Sequence, residues 1–151
     1  MQYIQNHEKN GGCVFCDALK MADGIENLVI HRAERAFVIC NRFPYSTGHL
    51  MVVPYQHVST LEALDQVVRH DLVDLVARVS EVLREVYHPD AFNIGLNVGA
   101  AAGAGVADHL HFHIVPRWNG DANFMTVVGG TRVLPEDLES TYRRVTAAWP
   151  K

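Results

Sequence analysis

The sequence predicts an α+β domain with a mostly antiparallel sheet of about five strands, one long helix and a C-terminal helix. Short, β-prone apolar segments recur between turn-rich connections, and one longer stretch carries apolar residues at helical spacing. Strands grouped around a single long helix are typical of this class. A chain of 151 residues suffices for one sizeable core, so we expect a single domain over residues 13–151. Residues 1–12 end in Gly11-Gly12, and we expect them to form a mobile leader.

The strands follow from apolar, β-prone runs bounded by turn residues. They are predicted at residues 28–30, 36–40, 50–54, 92–98 and 109–115. The first two runs are close together with charged residues between them, so we expect them to form a hairpin. Cys40 belongs to the second run, and its place in a strand predicts a core position rather than a chemical role.

The helices follow from apolar spacing and end signals. A short helix is predicted after Cys16, ending at Asp23-Gly24. Apolar residues from Val68 to Val86 recur at helical spacing, which indicates an amphipathic helix that packs on the sheet and ends near His88-Pro89. Residues 136–149 have a similar spacing, and we expect a closing helix there.

Composition excludes several classes of function. The net charge of −4 argues against non-specific binding to nucleic acid, which needs a basic surface. The sequence has no apolar run of membrane-spanning length, and the first residues lack the features of a signal peptide. Three cysteines do not form a disulfide framework and favour a reducing compartment. We therefore expect a cytoplasmic protein without nucleic-acid or membrane partners.

Three alternating histidines, His109, His111 and His113, mark the most informative segment of the chain. In a strand, their imidazoles would share one face, while the intervening apolar residues would share the other. Imidazole suits nucleophilic, acid–base or metal chemistry near neutral pH. The alternative is a set of polar residues on the solvent side of an ordinary strand. Three in alternation favour a functional row.

A loop of glycine and alanine, residues 99–105, directly precedes this segment. Its small side chains would let backbone N–H groups approach an anion, although a flexible connection is the alternative. The loop does not match a dinucleotide-binding or Walker sequence, because no helix start or Gly-Lys-Ser/Thr follows. A phosphate-holding loop beside a nucleophilic imidazole indicates phosphoryl or nucleotidyl transfer.

Cys13 and Cys16 form a second candidate site. Two cysteines at this spacing, with two histidines elsewhere, could hold zinc tetrahedrally. A redox pair is a competing interpretation, but no strand precedes Cys13 as it would in a thioredoxin-like setting. A third interpretation is two small apolar residues at a helix start.

The segment His109 to Val115, His-Leu-His-Phe-His-Ile-Val, resembles the histidine triad motif of a family of nucleotide hydrolases and transferases. Supporting pieces occur in the family's order: the cysteine pair, Asn41, Gly48-His49, His57, the long helix, Asn97 and the glycine loop. The resemblance covers residues 13 to about 118 and implies a histidine triad (HIT) fold. Residues 116–118 and 120–124 are similar to the branch with mycobacterial-type diadenosine tetraphosphate phosphorylases.

The resemblance implies roles for three histidines. His111 would attack the α-phosphorus and form a covalent nucleotidyl-histidine intermediate, which divides one difficult displacement into two easier ones. His113 would donate to phosphate oxygens and to the leaving group. His49 would support the geometry of the triad from behind.

The resemblance also implies binding residues. The nucleotide would contact Phe15, Ile39, Asn41, Asn97, Gly103, Gly105 and Trp118. Among these, the apolar pair would line the base, Asn41 would hold the ribose hydroxyls, and the glycine amides with Asn97 would offset phosphate charge. Trp118 would stack on a base, with simple packing as the alternative. A structural zinc would be held by Cys13, Cys16, His57 and His109.

We therefore expect an enzyme that cleaves dinucleoside polyphosphates, such as diadenosine tetraphosphate, and forms a homodimer by analogy with the family. Relatives often carry a hydroxyl or amide side chain at the position of Gly105 or Val106, so phosphorolysis and hydrolysis both stay open. One alternative is a hydrolase of nucleoside phosphoramidates or adenylated molecules. The others are a nucleotide-binding signalling module with incidental turnover, and a metal-binding protein that uses the histidine row as ligands.

Overall fold

Five antiparallel strands form one sheet in the order β1-β2-β3-β5-β4, with helices packed on it, which confirms the predicted α+β class. The computed structural model describes residues 12–121 and 136–150. The strands are β1 (Val29–Arg32), β2 (Ala36–Cys40), β3 (Leu50–Pro54), β4 (Ala91–Leu96) and β5 (Phe112–Arg117). The helices are α1 (Val14–Ala18), α2 (Gln66–Tyr87) and α3 (Leu138–Ala148), with a 3-10 turn at Ala100–Ala102. The predicted leader falls almost entirely outside the described residues.

The centre of the sheet is buried on both faces. Every residue of β2 and β3 is buried, as their continuous apolar sequences predict. Their register pairs Val38 with Val52 and Cys40 with Leu50. Cys40 is 1% exposed, which confirms its predicted place in the core, and burial raises the pKa of its thiol to about 12.

The long helix α2 covers the sheet with one apolar stripe. Its buried residues are Val68, Leu72, Leu75, Val76, Val79, Val82 and Leu83. The helix ends at Tyr87, and its C-terminal cap His88 has a φ of 48°, in the left-handed region, with Pro89 following. The predicted end of the helix is therefore confirmed. No helix within residues 12–121 and 136–150 is both long and apolar enough to span a bilayer.

The predicted bounds differ most from the structure at helix α1 and strand β5. Helix α1 includes Cys16 and ends at Ala18, where the side-chain amide of Asn27 donates to the Ala18 carbonyl at 3.0 Å. Strand β5 begins at Phe112, which pairs with Val52, instead of at His109. The chain before Phe112 leaves the β3 ladder, because the Leu110 N–H donates to the Val58 carbonyl at 2.7 Å.

The start of β3 depends on a close contact at Gly48. This residue has a φ of 76°, and a Cβ atom there would lie 3.0 Å from the Tyr87 ring. The ring is held in place because its hydroxyl donates to Glu136, which also accepts from Arg144 at 2.8 Å. The close contact between Gly48 and Tyr87 therefore packs the start of β3 against the end of α2. His49 is the next residue after Gly48.

We predict that Gly48→Ala lowers the free energy of unfolding by about 1–3 kcal/mol. The strain of a left-handed alanine and the contact with Tyr87 both contribute to this loss. Gly24→Ala is the matched control, because a Cβ at Gly24 meets nothing within 4 Å and its φ is not positive. Urea denaturation of both variants measures the difference, and equal stability of the two would contradict the assigned contact.

Candidate active site

The histidines of the triad lie inside the protein rather than on a solvent-facing strand. His109 is 0% and His111 is 4% exposed, while His113 is half-buried. The rings of His111 and His113 are adjacent, with centroids 4.7 Å apart. The interpretation as surface polar residues is therefore wrong for this segment, and each buried imidazole needs hydrogen-bond partners.

Main-chain carbonyls fix the protonation of the first two imidazoles. His109 Nε2 lies 2.9 Å from the Pro54 carbonyl, and His111 Nδ1 lies 2.8 Å from the His109 carbonyl. A carbonyl only accepts, so each of these nitrogens carries the proton in the neutral ring. This leaves the lone pair on Nδ1 of His109 and on Nε2 of His111. The two neighbouring histidines thus present opposite ring nitrogens for chemistry.

A hydrogen-bonded relay fixes the third imidazole. The Tyr45 N–H donates to His49 Nδ1 at 3.0 Å, so the proton of neutral His49 lies on Nε2. His49 Nε2 then donates to His113 Nδ1 at 2.9 Å. The proton of neutral His113 therefore lies on Nε2, where it can be donated to a ligand. His49 is 1% exposed, so the relay is shielded from water.

Burial favours the neutral form of these rings. The pKa of His111 is lowered by burial, against the hydrogen bond to the His109 carbonyl, which raises it. Burial, with a smaller contribution from His111, lowers the pKa of His113 to about 4. At neutral pH, His113 is therefore an uncharged hydrogen-bond donor, and the site holds a nucleophilic lone pair on His111.

Two predicted nucleotide residues, Phe15 and Asn41, lie against the histidines. Phe15 is 3% exposed, and its ring lies 5.4 Å from that of His109 and 5.0 Å from that of His111. The Asn41 amide nitrogen lies 3.4 Å from both ring nitrogens of His49. Ile39, on β2, is buried in the hydrophobic core.

The other predicted nucleotide residues lie before and after β5. Asn97 is half-buried in the connection after β4, and Gly103 and Gly105 are exposed in the loop that leads to His109. Trp118 is half-buried just after β5. It is separated from His111 by the length of that strand, roughly 20 Å at the rise of extended chain. The structure therefore does not bring Trp118 together with the triad.

A second cluster joins the cysteine pair to His57 and His109. One ligand atom from each of Cys13, Cys16, His57 and His109 lies within 4.8 Å of the others. His109 Nδ1 lies 3.2 Å from Cys13 Sγ and 3.7 Å from Cys16 Sγ, and His57 Nδ1 lies 3.4 Å from Cys16 Sγ. Tetrahedral zinc would separate sulfur and nitrogen ligands by about 3.5 Å. The spacing and the donor types therefore fit such an ion.

The cluster contains His109 but neither His111 nor His113. Among the described residues, His109 is the one member of the triad in this group, so the row as a whole is not a ligand set. His109 can offer Nδ1 because Pro54 accepts from its other nitrogen, an arrangement common for metal-binding histidines. Burial and Cys13 raise the pKa of the Cys16 thiol to about 11, whereas a redox-active cysteine usually has a lowered pKa.

Tyr45 also belongs to the site, although no pattern in the sequence predicted it. Its ring lies 4.6 Å from the His49 ring and 5.7 Å from the His113 ring, and its N–H begins the relay. The available signal was an aromatic residue four positions before His49 in the same connection. That signal is weak, because the path of a turn-rich loop does not follow from periodicity.

Residues 23–120 match the HIT domain, and the chain belongs to this family. The match includes the triad, His49 and His57, and the cysteine pair precedes it. AP-4-A phosphorylase of Mycobacterium tuberculosis is 44% identical to this chain over 126 residues, which are 83% of this chain. The chain spans 65% of the length of that relative.

Two further proteins extend the comparison. Bis(5'-nucleosyl)-tetraphosphatase [asymmetrical] of Schizosaccharomyces pombe is 34% identical over 93 residues, which cover 62% of this chain and 50% of that protein. The crystal structure of a Zn-bound histidine triad family protein from Mycobacterium smegmatis has a TM-score of 0.73 and 28% identity. The aligned region covers 92% of this chain and 94% of the M. smegmatis chain. Its fold agrees with the HIT-like arrangement expected from the triad.

Proposed function

We propose that the protein cleaves dinucleoside polyphosphates, such as diadenosine tetraphosphate, through a nucleotidyl-histidine intermediate. The observation that carries this proposal is the pairing of two neutral imidazoles with opposite roles. His111 has its Nε2 lone pair free for attack, and His113 beside it offers an N–H. The names of the M. tuberculosis and S. pombe relatives support this choice of substrate.

The reaction divides into two displacements at the α-phosphorus. In the first, Nε2 of His111 forms a bond to phosphorus, and the bond to the bridging oxygen breaks with its electron pair on the departing polyphosphate. In the second, an oxygen of water or phosphate attacks phosphorus, and the pair of the N–P bond returns to Nε2. When water is the acceptor, the proton that its oxygen loses passes to solvent. The hydrogen bond from Nδ1 to the His109 carbonyl persists throughout and stabilises the positive charge on the substituted ring.

His113 stabilises charge at the leaving oxygen. A departing polyphosphate is a stable anion, so a neutral hydrogen-bond donor suffices and a full proton transfer is not required. The His49 relay holds this donor in one orientation. We further propose that the amides of Gly103 and Gly105, with Asn97, donate to the non-bridging oxygens in the transition state.

The nucleoside half of the substrate would contact residues around the triad. We propose that Phe15 and Ile39 form the apolar wall for the base and that Asn41 binds the ribose hydroxyls. Phe15 supports this role through its contact with the His111 ring. Trp118 lies too far along β5 for that base, so we assign it to the distal nucleoside of the dinucleotide.

We propose that Cys13, Cys16, His57 and His109 hold a structural zinc ion. When bound, zinc would act as a cross-link between helix α1, the segment after β3 and the segment before β5. The donor distances support the proposal, and the M. smegmatis neighbour is described as Zn-bound. The metal would fix His109, whose carbonyl in turn orients His111.

The acceptor in the second displacement is set by groups near the phosphate. Gly105 and Val106 supply no hydroxyl or amide side chain, and Val106 packs against the core. The choice between phosphate and water therefore depends on backbone donors in this loop, and we propose phosphorolysis and hydrolysis as the two candidate reactions.

We propose a single HIT domain that acts as a cytoplasmic homodimer and has no nucleic-acid or membrane partner. Strand β4 supports the dimer, because it is an edge strand with Ile94 48% exposed. Val98, which follows the strand, is 45% exposed. Within the part of the chain that the structure describes, this apolar edge has no further strand beside it, which favours addition of a strand from a second copy. The net charge of −4 supports the absence of nucleic-acid binding.

Product analysis tests the proposed reaction. The protein is incubated with diadenosine tetraphosphate, with and without inorganic phosphate, and the nucleotides are separated. ADP plus ATP that forms only with phosphate indicates phosphorolysis, and AMP plus ATP without phosphate indicates hydrolysis. His111→Asn should lower the rate at least about 10³-fold, because it removes the nucleophile.

Either product pair supports the proposal. Cleavage at an undiminished rate by His111→Asn would contradict the nucleophile. Turnover of an adenosine phosphoramidate, with none of the dinucleotide, would instead support the alternative hydrolase. Absence of turnover on both substrates would favour a nucleotide-binding module.

Metal analysis tests the zinc site. Protein purified after zinc loading should retain about one zinc per chain, and Cys16→Ser should lose most of it because one thiolate ligand is removed. Cys40→Ala is the control, since this cysteine is buried in the core away from the cluster. Unchanged zinc in Cys16→Ser, measured by atomic emission, would contradict the ligand set.

A further inference from the structure

The ring of Tyr45 covers the end of the histidine relay. Its centroid lies 5.7 Å from that of His113, with the planes only 24° apart, and 4.6 Å from that of His49. Tyr45 is nevertheless 49% exposed. The side chain therefore lies at the boundary between solvent and the hydrogen bond that joins His49 to His113.

The loop that carries Tyr45 is anchored on both sides of the ring. Its own N–H donates to His49 Nδ1, and the hydroxyl of the next residue, Ser46, donates to the Pro116 carbonyl on β5 at 2.8 Å. At the base of the loop, the Asn41 N–H donates to the His49 carbonyl at 3.0 Å. These bonds hold the aromatic ring over the imidazoles although much of its surface faces water.

Coverage of this kind affects the protonation of His113. Among the residues that the structure describes, the polar or aromatic groups around its ring are His111, His49 and Tyr45, while Met51 and Gly95 lie opposite it on the adjacent strands. Water that reached the ring would favour its protonation. A protonated His113 would carry N–H on both nitrogens, so its Nδ1 could no longer accept from His49.

We propose that Tyr45 is a positioning residue, whose aromatic ring keeps His113 oriented as a donor to the leaving group. This inference rests on the proposed function. The ring acts by packing on the two imidazoles, so the role is assigned to the aromatic ring, which Tyr45→Phe retains. Tyr45 thus acts through His113, and the expected effect falls on the reaction step more than on substrate binding.

Four proteins test the inference: wild type, Tyr45→Phe, Tyr45→Ala and the control Phe43→Ala. Phe43 lies in the same loop and is 42% exposed, so its removal matches the loss of an exposed ring. Steady-state kinetics with diadenosine tetraphosphate give kcat and KM. Nitrogen-15 NMR of the imidazoles gives the pKa of His113 in the free protein, assigned with His113→Asn.

Tyr45→Ala is expected to differ from the other variants in kcat and in the pKa of His113. Tyr45→Ala should lower kcat about tenfold, part of the 10²–10⁴ that a positioned acid–base group typically contributes. Its KM should change little, and the pKa of His113 should move from about 4 toward its ordinary value of 6.5. Tyr45→Phe and Phe43→Ala should retain the wild-type kcat and the low pKa of His113.

Three results would overturn the inference. The first is an unchanged kcat and His113 pKa in Tyr45→Ala, and the second is an effect on KM alone. The third is an equal loss of kcat in Tyr45→Phe, which would assign the role to the hydroxyl. If wild type does not cleave the dinucleotide, the proposed function fails, and the NMR comparison still decides whether the ring controls His113.

Discussion

Hydrogen bonds between the main chain and imidazole nitrogens are the constraint on which this site depends. The Pro54 carbonyl, the His109 carbonyl and the Tyr45 N–H each bind one nitrogen of a different histidine. Each bond fixes which nitrogen carries the proton, and the other nitrogen is then available to a metal, a phosphorus atom or another ring. Four imidazoles can therefore lie close together with distinct properties, because backbone geometry distinguishes them.

The same constraint explains why a short segment can serve two sites. His109 directs Nδ1 toward the cysteines, whereas His111 donates from Nδ1 and keeps Nε2 for attack. The His109 residue joins the sites, because its side chain belongs to the metal-capable cluster while its carbonyl orients His111. If the cluster holds zinc as proposed, the ion would support catalysis by holding this main-chain acceptor in place.

The sequence predicted the architecture, the histidine triad and the Cys/His cluster more successfully than the local course of the backbone. Apolar runs identified β2 and β3, since strands buried on both faces have continuous apolar sequences. The family resemblance predicted that His57 and His109 meet the cysteines, and these four residues do lie together. Alternation alone placed His109 in the strand, but the Leu110–Val58 hydrogen bond, a tertiary contact, draws the chain out of the ladder. Tyr45 was missed for a similar reason, since its position depends on a loop anchored to β5 by Ser46.

The central claim is that Nε2 of His111 becomes bonded to phosphorus during turnover. Rapid acid-free quenching of the enzyme with diadenosine tetraphosphate, followed by intact-mass and peptide analysis, tests it most directly. The account predicts a transient increase of one nucleotidyl group, located on the peptide that contains His111 and absent from His111→Asn. Turnover at the full rate with no adduct on that peptide at any quench time, or an adduct on another residue, would contradict it.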